Sequence, residues 1–194
     1  MKELTAILDA NVIYPAPLRD LLVRLSLSDA FRARWSETIH EEWMRNVLAN
    51  RSDLTIEQLT RTKELMNKAV RDCLVEGFES LIDKIELPDT NDRHVLAAAI
   101  HVKADVIVTF NLKDFPVEKL APFGVEAIHP DAFIVSLIEE NSAKVLSVVK
   151  GQQESLKNPP RTITELLQTL EANGIKEAIK RMGKLLETQT ASDK

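Results

Sequence analysis

The stretch at residues 87–116, LPDTNDRHVLAAAIHVKADVIVTFNLKDFP, decides how the chain is read. Asp89 and Asp92 precede an Ala-rich apolar run, residues 95–100. An Asp before such a run marks a helix start, because its side-chain oxygen accepts a backbone N–H that lacks an intrahelical partner. The helix is expected to end near Lys103. Residues 105–109, DVIVT, then read as a short buried parallel strand. Asn111 and Asp114 follow at once, in a turn closing on Phe115-Pro116. Polar residues just past the C-terminal end of such a strand sit where open α/β sheets bind ligands.

The N-terminus repeats the theme. Residues 4–8, LTAIL, form an apolar strand that stops at Asp9, with Asn11 two residues on. Burying an unpaired carboxylate is costly, so an acid here is not placed for packing. If the two strands are neighbours, Asp9 and Asp114 come together, and like charges at close range need a cation. Oxygen-only ligands at one sheet edge point to a hard divalent metal.

Four segments now carry a resemblance: LDAN at 8–11, SETIHEEW at 36–43, DTNDRHVLAAA at 89–99 and VTFNLKDFP at 108–116. In this order and spacing the chain resembles a PIN domain, specifically the VapC-type ribonuclease toxins, over residues 1–129. The resemblance implies an acidic quartet, Asp9, Glu42, Asp92 and Asp114, which acts in catalysis and holds Mg2+ or Mn2+, with Asn11 and Asn111 in support. Many members carry an acid where this chain has Asn111. That leaves the fourth metal contact open between Asn111 and Asp114. The resemblance also implies an RNA substrate, a toxin role and a cognate antitoxin protein as partner; a homodimer is one assembly open to the chain.

Length and composition agree. The 194 residues suit one ordinary domain and an appendage, and 44% apolar residues support a packed core. No run reaches the roughly 18–20 apolar residues of a membrane span. A single cysteine, Cys73, excludes an internal disulfide and suggests a cytoplasmic home; it reads as a helix residue without a chemical role. The net charge of −5 does not advertise a nucleic-acid binder. Yet residues 144–194 carry nine Lys+Arg and six Asp+Glu, against sixteen and twenty-four in the remainder. Once a cation is bound, it dominates the charge of an acidic pocket.

Along the chain, residues 15–25 form a helix with Leu18, Leu21, Leu22 and Leu25 as its stripe, and residues 31–35 a strand. Ser36 caps a helix to Asn50. Glu42 follows Ile39 by three residues and turns inward, while Glu41 is rotated away by about 100°. Thr55-x-x-Gln58 is a capping box opening a helix to about Leu74. Residues 125–128 read as the last strand. Two helices follow, at 132–140 and 142–156, and then Asn158-Pro159-Pro160 is the clearest break. Helices at 162–172 and 175–187 close the chain, and residues 188–194 are expected to fray.

The expected fold is α/β, a parallel-sheet, PIN-like three-layer arrangement with a C-terminal helical extension. The division is a nuclease domain at 1–129 and an extension at 130–194, with the part after Pro160 an accessory unit. The expected activity is metal-dependent RNA cleavage. One alternative is a catalytically degenerate PIN-fold module that binds RNA or protein. A second is an aspartyl phosphotransferase, which wants an acid where Asn11 stands. His40-Glu41 fails as a zincin motif because Met44 fills the second His position, and no P-loop or nucleophile elbow is present.

Overall fold

The computed structural model describes residues 4–192. Its centre is β1 (Thr5–Leu8), and Ala6, Ile7 and Leu8 are buried. A strand that apolar must be covered on both faces, which is the condition for a parallel sheet. After β1 come the single turn α1 (Ala10–Ile13), α2 (Ala16–Leu27), β2 (Arg32–Ser36), α3 (Glu37–Asn50), α4 (Ile56–Ala69) and β3 (Leu74–Val75). Then follow α5 (Glu79–Ile82), α6 (Arg93–Val102), β4 (Val106–Val108), α7 (Val117–Leu120) and β5 (Glu126–Ile128). The chain closes with α8 (Pro130–Ser155), α9 (Ile163–Ala172) and α10 (Lys176–Ser192). The strand order is β3-β2-β1-β4-β5 and every pairing is parallel. The expected α/β architecture is therefore what forms. Because the chain winds outward from β1 in one direction and then the other, a crevice opens beyond the C-terminal ends of β1 and β4.

Helix α2 buries Leu18, Leu21, Leu22 and Leu25 completely and packs on α8. Helix α3 starts where Ser36 Oγ accepts the Ile39 N–H at 3.2 Å, and it buries Ile39, His40, Trp43, Met44 and Val47. A buried polar chain locks this face. Trp43 Nε1–H donates to His40 Nδ1 at 2.9 Å, and His40 Nε2 lies 2.9 Å from Asn67 Oδ1. Trp35 Nε1–H donates to the same Asn67 oxygen at 2.7 Å. Since Nδ1 accepts, Nε2 carries the ring proton and donates. Burial pushes the His40 pKa down, so the neutral ring this chain needs is also the favoured one.

Two expectations change. Helix α4 ends at Ala69 rather than near Leu74, and Leu74–Val75 pairs with Trp35 and Ser36 as β3. No Gly or Pro marks this break. Asp72 takes the left-handed conformation instead, at φ +52°, and the Trp35 N–H reaches Cys73 O at 2.9 Å. Cys73 is therefore a buried residue before a strand, not part of a helix. At the other end α10 runs past Glu187 to Ser192, where fraying was expected; Asp193 and Lys194 lie outside the described residues.

The two expected helices at 132–140 and 142–156 form the two halves of α8, separated at Asn141, whose backbone is non-helical (φ −154°, ψ 83°) and whose side chain accepts the Lys144 N–H at 3.0 Å. Leu166, Leu170, Ile175, Ala178 and Met182 join the same buried cluster as the sheet core. The Asp131 carboxylate accepts the N–H groups of Glu177 and Ala178 at 3.0 and 2.8 Å, which seats the start of α10. Gly174, at φ +93°, lies so close to Phe110 that a Cβ there would meet the ring at 2.9 Å. Phe110 also stacks edge-on with His129, centroids 5.1 Å apart. Among the described residues no helix is long and apolar enough to cross a membrane.

Asn67→Leu should orphan the Trp35 and His40 donors, at about 1–3 kcal/mol for each buried group left unpaired. Urea unfolding should show a lower midpoint with an unchanged slope.

Candidate metal centre

Asp9 ends β1 and begins α1, and its N–H donates to Val108 O of the neighbouring β4 at 3.1 Å. Its carboxylate is 5% exposed and fully engaged. Oδ1 accepts the Ala10 N–H at 2.6 Å, while Oδ2 accepts Asn11 Nδ2 at 2.6 Å and the Thr109 hydroxyl at 2.7 Å. Burial raises the Asp9 pKa, with a smaller push from Glu42, against the opposing pull of the Thr109 and Ala10 bonds. Thr109 is fully buried and shared. Besides donating to Asp9, its oxygen accepts from Asn11 Nδ2 and from the Asn111 N–H, each at 3.0 Å. Asn11 Oδ1 accepts the Phe110 N–H at 3.1 Å, which fixes which way the amide points.

Asp114 follows β4 in the 3-10 turn Leu112–Asp114, and the Asn111 side-chain amide donates to its Oδ2. So the amide of Asn111 is spent on Asp114 rather than turned away from it. Asp92 closes the 3-10 turn Thr90–Asp92 ahead of α6, and Asp89 caps that turn by accepting the Asn91 N–H at 2.9 Å. Each of Asp89, Asp92 and Asp114 offers an oxygen within 4.8 Å of the others. Glu42 points inward from α3, and its Oε1 lies 3.1 Å from Nε2 of the buried His94.

Asp92 is the electrostatic centre. Its pKa is raised to about 7, first by burial and then by the charges of Asp9, Asp89, Asp114 and Glu42. All four acids singled out in the sequence thus meet at one place, although the tight trio contains Asp92 and Asp114 without Asp9 and Glu42. Sequence reasoning gave Asp89 only a capping role, and passed over Thr109 and the contact of His94 with Glu42. Asp89 could have been found from its three-residue spacing to Asp92; the other two depend on contacts between distant segments.

The residues present fit a hard divalent cation. The donor set is oxygen from mutually repelling carboxylates, and the trio of Asp89, Asp92 and Asp114 includes no His or Cys. A cation there would relieve the charge that otherwise falls on Asp92. In metal-free protein, the folded state favours protonated Asp92. Its folded pKa is raised, so the stability it contributes is full below the unfolded value of about 3.8 and is lost as pH rises through about 7. Asp92→Asn should therefore raise the Tm of EDTA-treated protein at pH 8 and change it little near pH 4, by differential scanning calorimetry.

Comparison with known proteins gives three findings. A family model described as "PIN domain" matches residues 5–113. A second, described as "VapC50 C-terminal domain", matches residues 130–184. Among curated proteins, "Putative ribonuclease VapC50" of Mycobacterium tuberculosis (strain ATCC 25618 / H37Rv) is 42% identical over 79 residues, covering 41% of this chain and 47% of that protein. The matched segment thus spans about half the length of that relative. No solved structure matches the chain.

Proposed function

The chain belongs to the PIN-domain family, and on that premise we propose that it is a metal-dependent endoribonuclease serving as the toxin of a toxin–antitoxin pair. One observation carries the reading: acids from four separate segments converge beyond the C-terminal edge of the sheet, where burial and their charges together raise the Asp92 pKa to about 7. A purely structural role gives no reason to gather such charges, since carboxylates at close range destabilise one another. The name of the Mycobacterium tuberculosis relative supports RNA as substrate.

In the proposed site Asp9, Glu42, Asp92 and Asp114 hold Mg2+ or Mn2+, and Asp89 adds a fifth carboxylate. Such an ion supplies an activated water at neutral pH and offsets negative charge on a phosphate. The remaining work belongs to the chain. Thr109 and Asn11 fix both the position and the rotamer of Asp9. Asn111 does the same for Asp114. Burial of Asp9 and Thr109 restricts water on the sheet side, so a phosphodiester approaches from the open, Asp89 side.

Cleavage would be harmful unless restrained, which motivates an antitoxin that competes for the acidic groove near Glu42 and Asp114 with a cationic side chain. We assign residues 1–129 to the nuclease and 130–194 to an extension that braces it, and place the protein in the cytoplasm with its RNA. Light scattering tests a homodimer. The degenerate-module alternative loses ground because all four acids of the quartet are present.

Purified protein should cut a mixed RNA pool with Mn2+ and not with EDTA, and Asp9→Asn should reduce cleavage to background. Mn2+ should also raise the Tm of the wild-type protein. Expression should arrest growth, with relief from a protein encoded next to it. An Asp9→Asn variant that cuts at the wild-type rate, or melting blind to Mn2+, would overturn the assignment.

A further inference from the structure

We infer that His94 is a positioning residue for the metal site, acting through Glu42; the inference rests on the nuclease reading above. Glu42 differs from the other acids. Asp9 is held by three donors, from Ala10, Asn11 and Thr109, and Asp114 by the neighbouring Asn111 amide. Glu42 comes from the far helix α3 on a long side chain, whose rotamer freedom must be given up to place the carboxylate. Its hydrogen bond to His94 Nε2, at 3.1 Å, links α3 to the first turn of α6.

His94 is well placed for that task. It is 6% exposed, two residues after Asp92, with Val95 and Leu96 fully buried beside it. Its Nδ1 is buried and has no partner among the described residues. A core histidine kept for packing satisfies both nitrogens, as His40 does through Trp43 and Asn67. Among the described residues, the polar contact His94 makes is with Glu42. An Nδ1–H would be a buried donor without an acceptor, so the proton belongs on Nε2, which donates to Glu42 Oε1. That arrangement commits Nε2 to Glu42 and makes the imidazole an anchor for a carboxylate of the site. Carboxylate ligands that are themselves hydrogen-bonded in this way lose about 10–100-fold in metal affinity when the partner is removed.

The test measures Mn2+ affinity directly, from the free-ion signal in electron paramagnetic resonance, on full-length protein. His94→Leu should bind Mn2+ about 10–100-fold more weakly while its metal-free circular dichroism is unchanged. His94→Gln, whose amide reaches as far as Nε2, should recover the affinity, and the shorter amide of His94→Asn should not. If the Leu variant fails to fold, the contrast between Gln and Asn decides. Combining His94→Leu with Glu42→Gln should weaken binding no further than Glu42→Gln alone, because one acts through the other. Wild-type protein that binds no Mn2+ would sink the nuclease reading and this inference with it. Wild-type binding, weakened by Glu42→Gln yet equal in the Leu, Gln and Asn variants, would sink the role of His94 alone. Additive losses in the double variant would likewise show that His94 does not work through Glu42.

Discussion

Mutual repulsion among carboxylates is the constraint on which the site depends. Five acids face one crevice, and each of four is restrained by a specific donor: Asp9 by Ala10, Asn11 and Thr109, Asp114 by Asn111, Asp89 by the Asn91 N–H, and Glu42 by His94. Hydrogen bonds to an ionised group are stronger than those between neutral partners, so such donors hold charged oxygens in place. Asp92 lacks such a donor among the described residues, and burial first, then the surrounding charges, raise its pKa to about 7. The fold therefore presents an arrangement that a cation would stabilise.

The hydrophobic sheet makes this tolerable. β1 is central, flanked by β2 and β4, and almost wholly buried, so its end cannot drift. The direct Asp9 N–H to Val108 O bond sets the spacing of the two strand ends. Helix α3 is fixed just as firmly by the Trp43–His40–Asn67–Trp35 chain, and Glu42 lies between the two helix residues of that chain. Rigidity below the crevice permits strain of an electrostatic kind inside it.

Much of this was legible in the sequence where the signal is local. Acids directly after apolar strands identified Asp9 and Asp114, and Ser36, Thr55 and Thr162 declared their helix starts through side chains that bond within three residues. What stayed hidden depends on distant partners. β3 exists because Trp35 and Ser36 offer an edge, and the residues before it, Val70 to Cys73, carry no Gly or Pro to announce a break. Thr109 looked like a strand residue, since its bond to Asp9 spans a hundred positions. The contact of His94 with Glu42 exists only because the fold brings α3 beside α6.

The close approach of Gly174 to Phe110 makes the two positions a matched pair. Phe110 donates its N–H to Asn11, so an aromatic ring pressed by the extension is joined by its own backbone to the residue that grips Asp9. A smaller side chain at position 110 would remove the steric demand on position 174 but not its conformational one, because φ +93° suits glycine whatever the space. The reverse exchange is closed altogether. An extension transplanted from another protein would thus have to bring an achiral residue at this turn, and the compatibility of the two parts could be judged from that single position.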